Sequence, residues 1–263
     1  MRRPRLLDLY AGAGGASMGY HRAGFEVVGV DMRPQPHFPF QFVQADALQY
    51  LREYGRCFDV IHASPPCQTD TRLAKLHRAK GPEYDATHKS MTAPTRDLLI
   101  ASGKPYIIEG VEGAPLLNAL TLCGTMFNLR TDCGAELRRH RLFETNWFDD
   151  LLSVPLCQHG SDRTIGVTGT GHPMTGARRF SRNRTVTVTG HSPMDGRKKR
   201  VITITGATPQ QNTVRNLIRE TFPVSAARTA MGIDWMTSMK ELSQAIPPAY
   251  TQWIGERLME QLR

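Results

Sequence analysis

The chain has 263 residues, with 33 Lys and Arg against 24 Asp and Glu, a formal net charge of +9 and 40% hydrophobic residues. That length suits one large domain or a domain with an insertion, and no apolar run approaches the roughly 18 residues of a membrane span. The basic start Met1-Arg2-Arg3-Pro4-Arg5 runs into a strand pattern and not into an apolar signal core, so a cytoplasmic protein without a membrane partner is expected. Cys57, Cys67, Cys123, Cys133 and Cys157 are widely spaced and form no CxxC pair, which predicts neither a metal site nor a disulfide framework.

Arg5 to Tyr10 reads as a first strand, Ala11-Gly12-Ala13-Gly14-Gly15-Ala16 as a tight turn, and Ser17 to Ala23 as a helix closed by Gly24. Glu26 to Val30 is a second strand ending in Asp31, and Phe40 to Val43 a third, followed by Asp46 at the head of a helix over Ala47 to Tyr54. Asp46 can cap that helix or accept from a ligand's amino group. The glycine turn is not the dinucleotide fingerprint, because Ser17 stands where the third glycine belongs. It still lets a ligand approach the backbone, with Asp31 placed for ribose hydroxyls.

Phe58 to Ala63 is a fourth strand, and it ends in Ser64-Pro65-Pro66-Cys67-Gln68. Prolines fix the backbone and cannot continue a ladder, so the chain leaves the sheet there. Cys67 then lies just past the carboxyl end of a strand, where open α/β sheets build their sites. Thr69 to Ala93 is long, polar and without period, which suggests a lid. Pro94 to Ser102 reads as a helix and Lys104 to Glu109 as a fifth strand, with the acid at its end. Arg138-Arg139-His140-Arg141-Leu142-Phe143 alternates like a strand with basic residues on one face.

Pro155 to Pro223 changes texture to Gly, Thr, Arg and Pro. It carries an echo, Val167-Thr168-Gly169 then Val186-Thr187-Val188-Thr189-Gly190, with a weaker beat at Ile202-Thr203-Ile204-Thr205-Gly206, which predicts short strands joined as hairpins. Between residues 161 and 220 there are eleven Arg and Lys against three acids, so most of the net charge sits in this block. Such a block is the footprint of a phosphate-rich partner. From Ser225 the pattern is helical again, and Pro247-Pro248 opens a last helix.

These pieces together resemble the cytosine carbon-5 methyltransferase family, closest to the small solitary enzymes that phages carry. Asp8-Leu9-Tyr10-Ala11-Gly12-Ala13-Gly14-Gly15 is similar to its cofactor turn, Ser64-Pro65-Pro66-Cys67-Gln68 to its nucleophile loop, and Glu109-Gly110-Val111 to its Glu-Asn-Val. Leu137-Arg138-Arg139-His140-Arg141 is similar to its Gln-x-Arg-x-Arg, and Ala245-Ile246-Pro247-Pro248 to its closing motif. The resemblance implies an α/β fold, a doubly wound and mostly parallel sheet of the S-adenosylmethionine-dependent methyltransferase, Rossmann-like kind, with a smaller, mainly β target-recognition domain. The expected division is a catalytic domain over 1–148, target recognition over 149–225, and a segment over 226–263 returning to the catalytic domain.

What the resemblance implies about residues follows the motifs. Cys67 is the nucleophile, Glu109 and Arg141 hold the cytosine ring, and Arg139 steadies the loop and Glu109. S-adenosylmethionine is the cofactor, held by Tyr10, Ala11, Gly12, Gly14, Asp31, Met32, Asp46, Pro66, Gln244 and Ala245. Double-stranded DNA is the partner, gripped by Gln68, Arg72 and Lys75 and by Arg178, Arg179, Arg182, Arg184, Arg197, Lys198 and Lys199, and the protein acts as a monomer. The alternatives are an RNA (tRNA) cytosine methyltransferase and a DNA-binding protein with weakened or altered transfer chemistry. The second is motivated by Gly110, which replaces an Asn tying the glutamate loop to the cysteine loop. That glycine can weaken the enzyme, be compensated, or open room beside the transferred group. Leu137 for Gln and Gln244 for Asn are further departures.

Overall fold

The structure is a computed structural model and describes residues 2–66, 90–132, 134–148, 154–159, 163–168, 200–205 and 224–262. The chain divides into two compact units. The first is Met1–Leu122, His140–Pro155 and Pro248–Arg263; the second is Cys123–Arg139 and Leu156–Pro247.

The first unit is built on seven strands: β1 (Arg5–Leu9), β2 (Glu26–Asp31), β3 (Gln41–Gln44), β4 (Val60–Ala63), β5 (Tyr106–Gly110), β6 (Leu120–Leu122) and β8 (Arg141–Thr145). Their order in the sheet is β3-β2-β1-β4-β5-β8-β6. The first five are parallel, while β8 runs antiparallel to both β5 and β6. Helices cover both faces, and β1, β4 and β5 are buried on both. Leu7, Leu9, Val28, Val30, Ile61, Ala63 and Ile108 point to one side, where α2 (Ala47–Tyr54) buries Ala47 and Leu51 and α3 (Thr92–Ser102) buries Leu99.

The other face meets α1 (Gly15–Arg22), through Ser17 to Asp8 and Tyr20 to His62. Here α1 packs against α6 (Pro248–Gln261). The crossing is close at Gly19, where a Cβ would lie 2.0 Å from Thr251 Oγ1 and 2.2 Å from the Pro248 carbonyl. The Thr251 hydroxyl also donates to the Ala16 carbonyl at 2.8 Å. Gly255 repeats the device, with a Cβ there meeting that of Ala23 at 2.8 Å. The sheet is thus doubly wound and mostly parallel, as expected.

In the second unit, β7 (Glu136–Leu137), β9 (Arg163–Thr168) and β10 (Arg200–Thr205) form a sheet in the order β10-β9-β7, with α4 (Val224–Met231) and α5 (Met239–Gln244) following. The hairpin reading of the echo is corrected here. Its first and third beats fall on β9 and β10, and these pair in parallel. Parallel neighbours need a crossover and cannot be joined by a tight turn. The middle beat lies outside the described residues. Capping shapes α5: Ser238 accepts from Glu241 N while the Glu241 carboxylate accepts from Ser238 N. Among the described residues no helix is long and apolar enough to cross a membrane.

Candidate active site

Because β1, β2, β4 and β5 run in one direction with level registers, Leu9 beside Val30 and Ala63, and Ala63 beside Ile108, their carboxyl ends share one edge. Tyr10, Asp31, Ser64 to Pro66 and Glu109 with Gly110 stand along that edge. The turn after β1 needs left-handed backbone at Tyr10 (φ 59°), Gly12 (φ 52°) and Gly14 (φ 84°). Glycine adopts that geometry without cost, while Tyr10 is held there by its surroundings. Its hydroxyl shares a 3.0 Å hydrogen bond with Thr95 Oγ1 of α3, and burial pushes its pKa up. Asp31 closes the turn, accepting from Gly12 N at 3.0 Å and from Arg33 N at 2.9 Å.

The residues fit an adenosyl cofactor. A Cβ at Gly12 would meet no heavy atom within 4 Å, so the turn has open space beside bare backbone. Met32 is 68% exposed just beyond Asp31, an apolar surface for a flat ring. Asp46 Oδ1 caps α2 by accepting from Gln49 N at 2.8 Å. Its Oδ2 accepts no hydrogen bond among the described residues. Each Asp31 oxygen spends one lone pair on backbone and keeps another for a hydroxyl.

Glu109 and Arg141 come together. Glu109 is near the end of β5 and Arg141 opens the antiparallel β8, so the two strands bring them side by side. Arg141 Nε lies 2.9 Å from Glu109 Oε1, with the side chains 17% and 10% exposed. Arg141 Nη1 also donates to the His140 carbonyl at 2.9 Å. A carboxylate and a guanidinium fixed at a strand-end rim can together bind a planar ring that offers both donors and acceptors.

Arg139 of the same motif is 2% exposed. It belongs to the second unit, where it is buried and its Nη2 donates to the carbonyls of Ser243 and Ala245, 2.8 Å each. It ties down the closing motif at the end of α5. That turn inward also explains why the strand expected over 138–143 begins only at Arg141. Gln244 and Ala245 lie in the same unit. Cys67, Gln68, Arg72, Lys75, Arg178, Arg179, Arg182, Arg184, Arg197, Lys198 and Lys199 lie outside the described residues, as does the lid segment apart from its last four residues.

Sequence reasoning missed what anchors the chain where it leaves β4. Ser64 N donates to the Leu9 carbonyl at 3.1 Å, and Ser64 Oγ is 2.9 Å from His62 Nε2. His62 Nδ1 is 2.9 Å from the Tyr20 hydroxyl. Burial drives His62 down to about 3 and Tyr20 well up, so the chain Tyr20–His62–Ser64 is neutral. The signal was one polar residue inside the apolar run Val60-Ile61-His62-Ala63. Asp8 sits beside His62 in the register and is wholly buried. Ser17 Oγ donates to its Oδ2, while Oδ1 has no hydrogen-bond partner.

Gly110 is dictated by packing. A Cβ there would lie 2.8 Å from Ala114 Cβ and 3.1 Å from Leu116 Cδ1. The space that an Asn side chain would enter is filled by the loop that follows β5. Gly110→Asn is therefore expected to cost about 1–3 kcal/mol in overpacking and to leave methyl transfer no higher. Denaturant unfolding alongside a methylation assay checks both, and a rise in transfer would show that the glycine is a lesion.

A mostly parallel, doubly wound sheet with its site along the carboxyl edge is the fold of S-adenosylmethionine-dependent methyltransferases. Three solved structures share it over nearly the whole chain. A protein described as a DNA modification methyltransferase encoded within an E. coli prophage has a TM-score of 0.54 and 14% identity, over 98% of this chain and 99% of that one. The Dnmt2 methyltransferase of S. pombe has a TM-score of 0.57 and 14% identity, over 99% and 100%. The Entamoeba histolytica methyltransferase EhMeth has a TM-score of 0.56 and 11% identity, over 100% of both. In sequence, the chain is 30% identical over 129 residues to the type II methyltransferase M.XorII of Xanthomonas oryzae pv. oryzae, covering 43% of this chain and 29% of that protein. The match thus spans less than a third of that relative's length. No family model matches the chain. At 11–14% identity the solved structures show a shared fold.

Proposed function

We propose that the protein is a DNA cytosine carbon-5 methyltransferase. The observation that carries this reading is the Glu109–Arg141 pair at 2.9 Å, on the same sheet edge as the glycine turn and the Pro65-Pro66 exit to Cys67. S-adenosylmethionine, held by the Tyr10–Gly14 turn, Asp31, Met32 and Asp46, supplies the methyl group. Cytosine carbon 5 is a poor nucleophile, and addition of the Cys67 thiolate to carbon 6 turns the ring into an enamine that can attack. Glu109 binds ring nitrogen 3 and the exocyclic amine, and Arg141 the ring carbonyl, so charge arising on addition meets fixed partners. Loss of the carbon-5 proton then expels Cys67. The base must leave the stack to reach this edge, at a cost of a few kcal/mol. The basic block and the 69–93 segment bind the phosphates, with Gln68, Arg72, Lys75 and the Arg and Lys of 178–199 as contacts. Ser64, pinned to Leu9 and His62, orients the loop that carries Cys67.

Cys67→Ser is expected to abolish transfer while duplex binding persists. Bisulfite sequencing of DNA from cells expressing each form reads the first, and a mobility-shift titration the second. Undiminished cytosine methylation by the serine variant would overturn the mechanism. Transfer to tRNA in place of duplex DNA would move the substrate to RNA.

A further inference from the structure

Cys123 of the second unit is far in sequence from Cys157 and His159 of the same unit, yet the ligand atoms of all three lie within 4.8 Å of one another. His159 Nε2 is 3.4 Å from Cys123 Sγ and 2.8 Å from Cys157 Sγ. Around a tetrahedral zinc, with bonds of about 2.3 Å to sulfur and about 2.0 Å to nitrogen, the ligand–ligand edges are roughly 3.5–3.8 Å. The Cys123–His159 edge already stands close to that spacing, and the 2.8 Å Cys157–His159 edge is shorter than it. We propose that the three side chains bind a structural zinc ion.

The donor chemistry supports zinc over other divalent ions. Two thiolates and an imidazole form a soft set, which disfavours magnesium and calcium. A tetrahedral zinc leaves one further position beyond these three ligands. The lack of a CxxC pair argued against a metal, but that spacing matters only for ligands on one turn. Here the fold brings together one cysteine and a distant Cys157-Gln158-His159 pair.

The placement gives the ion a job. Cys123 is the first residue of the unit, and Cys157 follows Leu156, where the chain comes back into it. An ion shared by the two clasps both points at which the unit's chain begins. The described elements there are short, β7 having two residues and α5 six, and small units with little core often need such a staple.

The test uses untagged full-length protein purified without chelator, with metal measured by plasma mass spectrometry. About one zinc per chain is expected. Cys157→Ser and His159→Ala are each expected to bring this below about one fifth, while Cys57→Ser, in the first unit, keeps it. Cobalt reconstitution of the wild type should give the visible bands of a tetrahedral thiolate site, lost in Cys157→Ser. A wild type that carries no zinc as purified and gives no cobalt spectrum after reduction overturns the proposal. So does retention of full zinc by both cluster variants, and so does a Cys123–Cys157 disulfide found by non-reducing peptide mapping.

Discussion

Glu144→Ala is expected to destabilise the first unit by about 3–5 kcal/mol, the cost of breaking a buried ion pair from one side. Glu144 of β8 is 3% exposed and Arg96 of α3 13% exposed. Arg96 Nε lies 2.7 Å from Glu144 Oε1, and Arg96 Nη2 lies 2.6 Å from Oε2, a two-pronged pair. The Glu144 hydrogen bond is the main cause pushing the Arg96 guanidinium above its ordinary value. Glu144 Oε2 also accepts from Leu117 N at 2.8 Å, and Arg96 Nη2 donates to the Pro115 carbonyl at 2.7 Å. The alanine would strand a guanidinium and an amide at once. The pair fixes α3 and the 115–117 loop, so Leu116 stays against Gly110 and Thr95 stays against Tyr10. A fall in urea midpoint at constant slope is the measurement. A loss under about 1 kcal/mol would mean that the pair behaves like a surface one.

The second large effect depends on pH. Burial, partly opposed by Ser17 and aided by Asp31, raises Asp8 from 3.8 to about 7. Its neighbours on that face are Ser17, Tyr20 and His62. Below pH 3.8 the carboxyl is protonated in both the folded and unfolded chain and costs nothing. As pH climbs to 7 the unfolded chain releases the proton while the fold retains it. Stability therefore falls across that window, by about 4 kcal/mol at 1.36 kcal/mol per unit. His62 works in reverse: lowered from 6.5 to about 3, it contributes stability present above 6.5 that is lost as pH falls toward 3. The two slopes oppose each other in wild type.

Asp8→Asn removes only the first. Its amide leaves an unpaired N–H at the Oδ1 position, costing about 1–3 kcal/mol. The net expectation is a gain of about 1–3 kcal/mol at pH 8 and none, or a loss, at pH 4. Urea titrations at both pH values measure it, and an equal effect at both would refute a buried, elevated Asp8.

The parallel half of the sheet was legible because its strands are buried on both faces and read as apolar runs: Leu6-Leu7, Val27-Val28, Val60-Ile61, Ile107-Ile108. The strand ends followed from the breakers after them, and Asp46 declared its cap by position. Three features were out of reach for local reasons. β6 is three residues long, too short to show a period. The stretch 138–140 alternates like a strand, but Arg139 spends its guanidinium on carbonyls a hundred residues away. β9 and β10 look like hairpin partners because their sequences match, and a match in pattern says nothing about direction. At the site, the motifs marked Glu109 and Arg141 but not their contact. Gly110 looked like a lost side chain until Ala114 and Leu116 were seen in its place.

The close crossing at Gly19 has a consequence for synthesis. Ala16 and Thr251, which meet there, are separated by 235 positions in the chain. At about 5–20 residues per second a ribosome needs roughly 10–50 s to make the second after the first. Throughout that interval Tyr20 and Phe25 lack the helix that buries them, since Gly255 seats directly over both rings. Tyr20 is also the far end of the chain that steadies Ser64. The anchoring of Ser64 at the end of β4 is therefore among the last things the nascent protein acquires, and a chain stopped before α6 holds the motifs without the brace behind them.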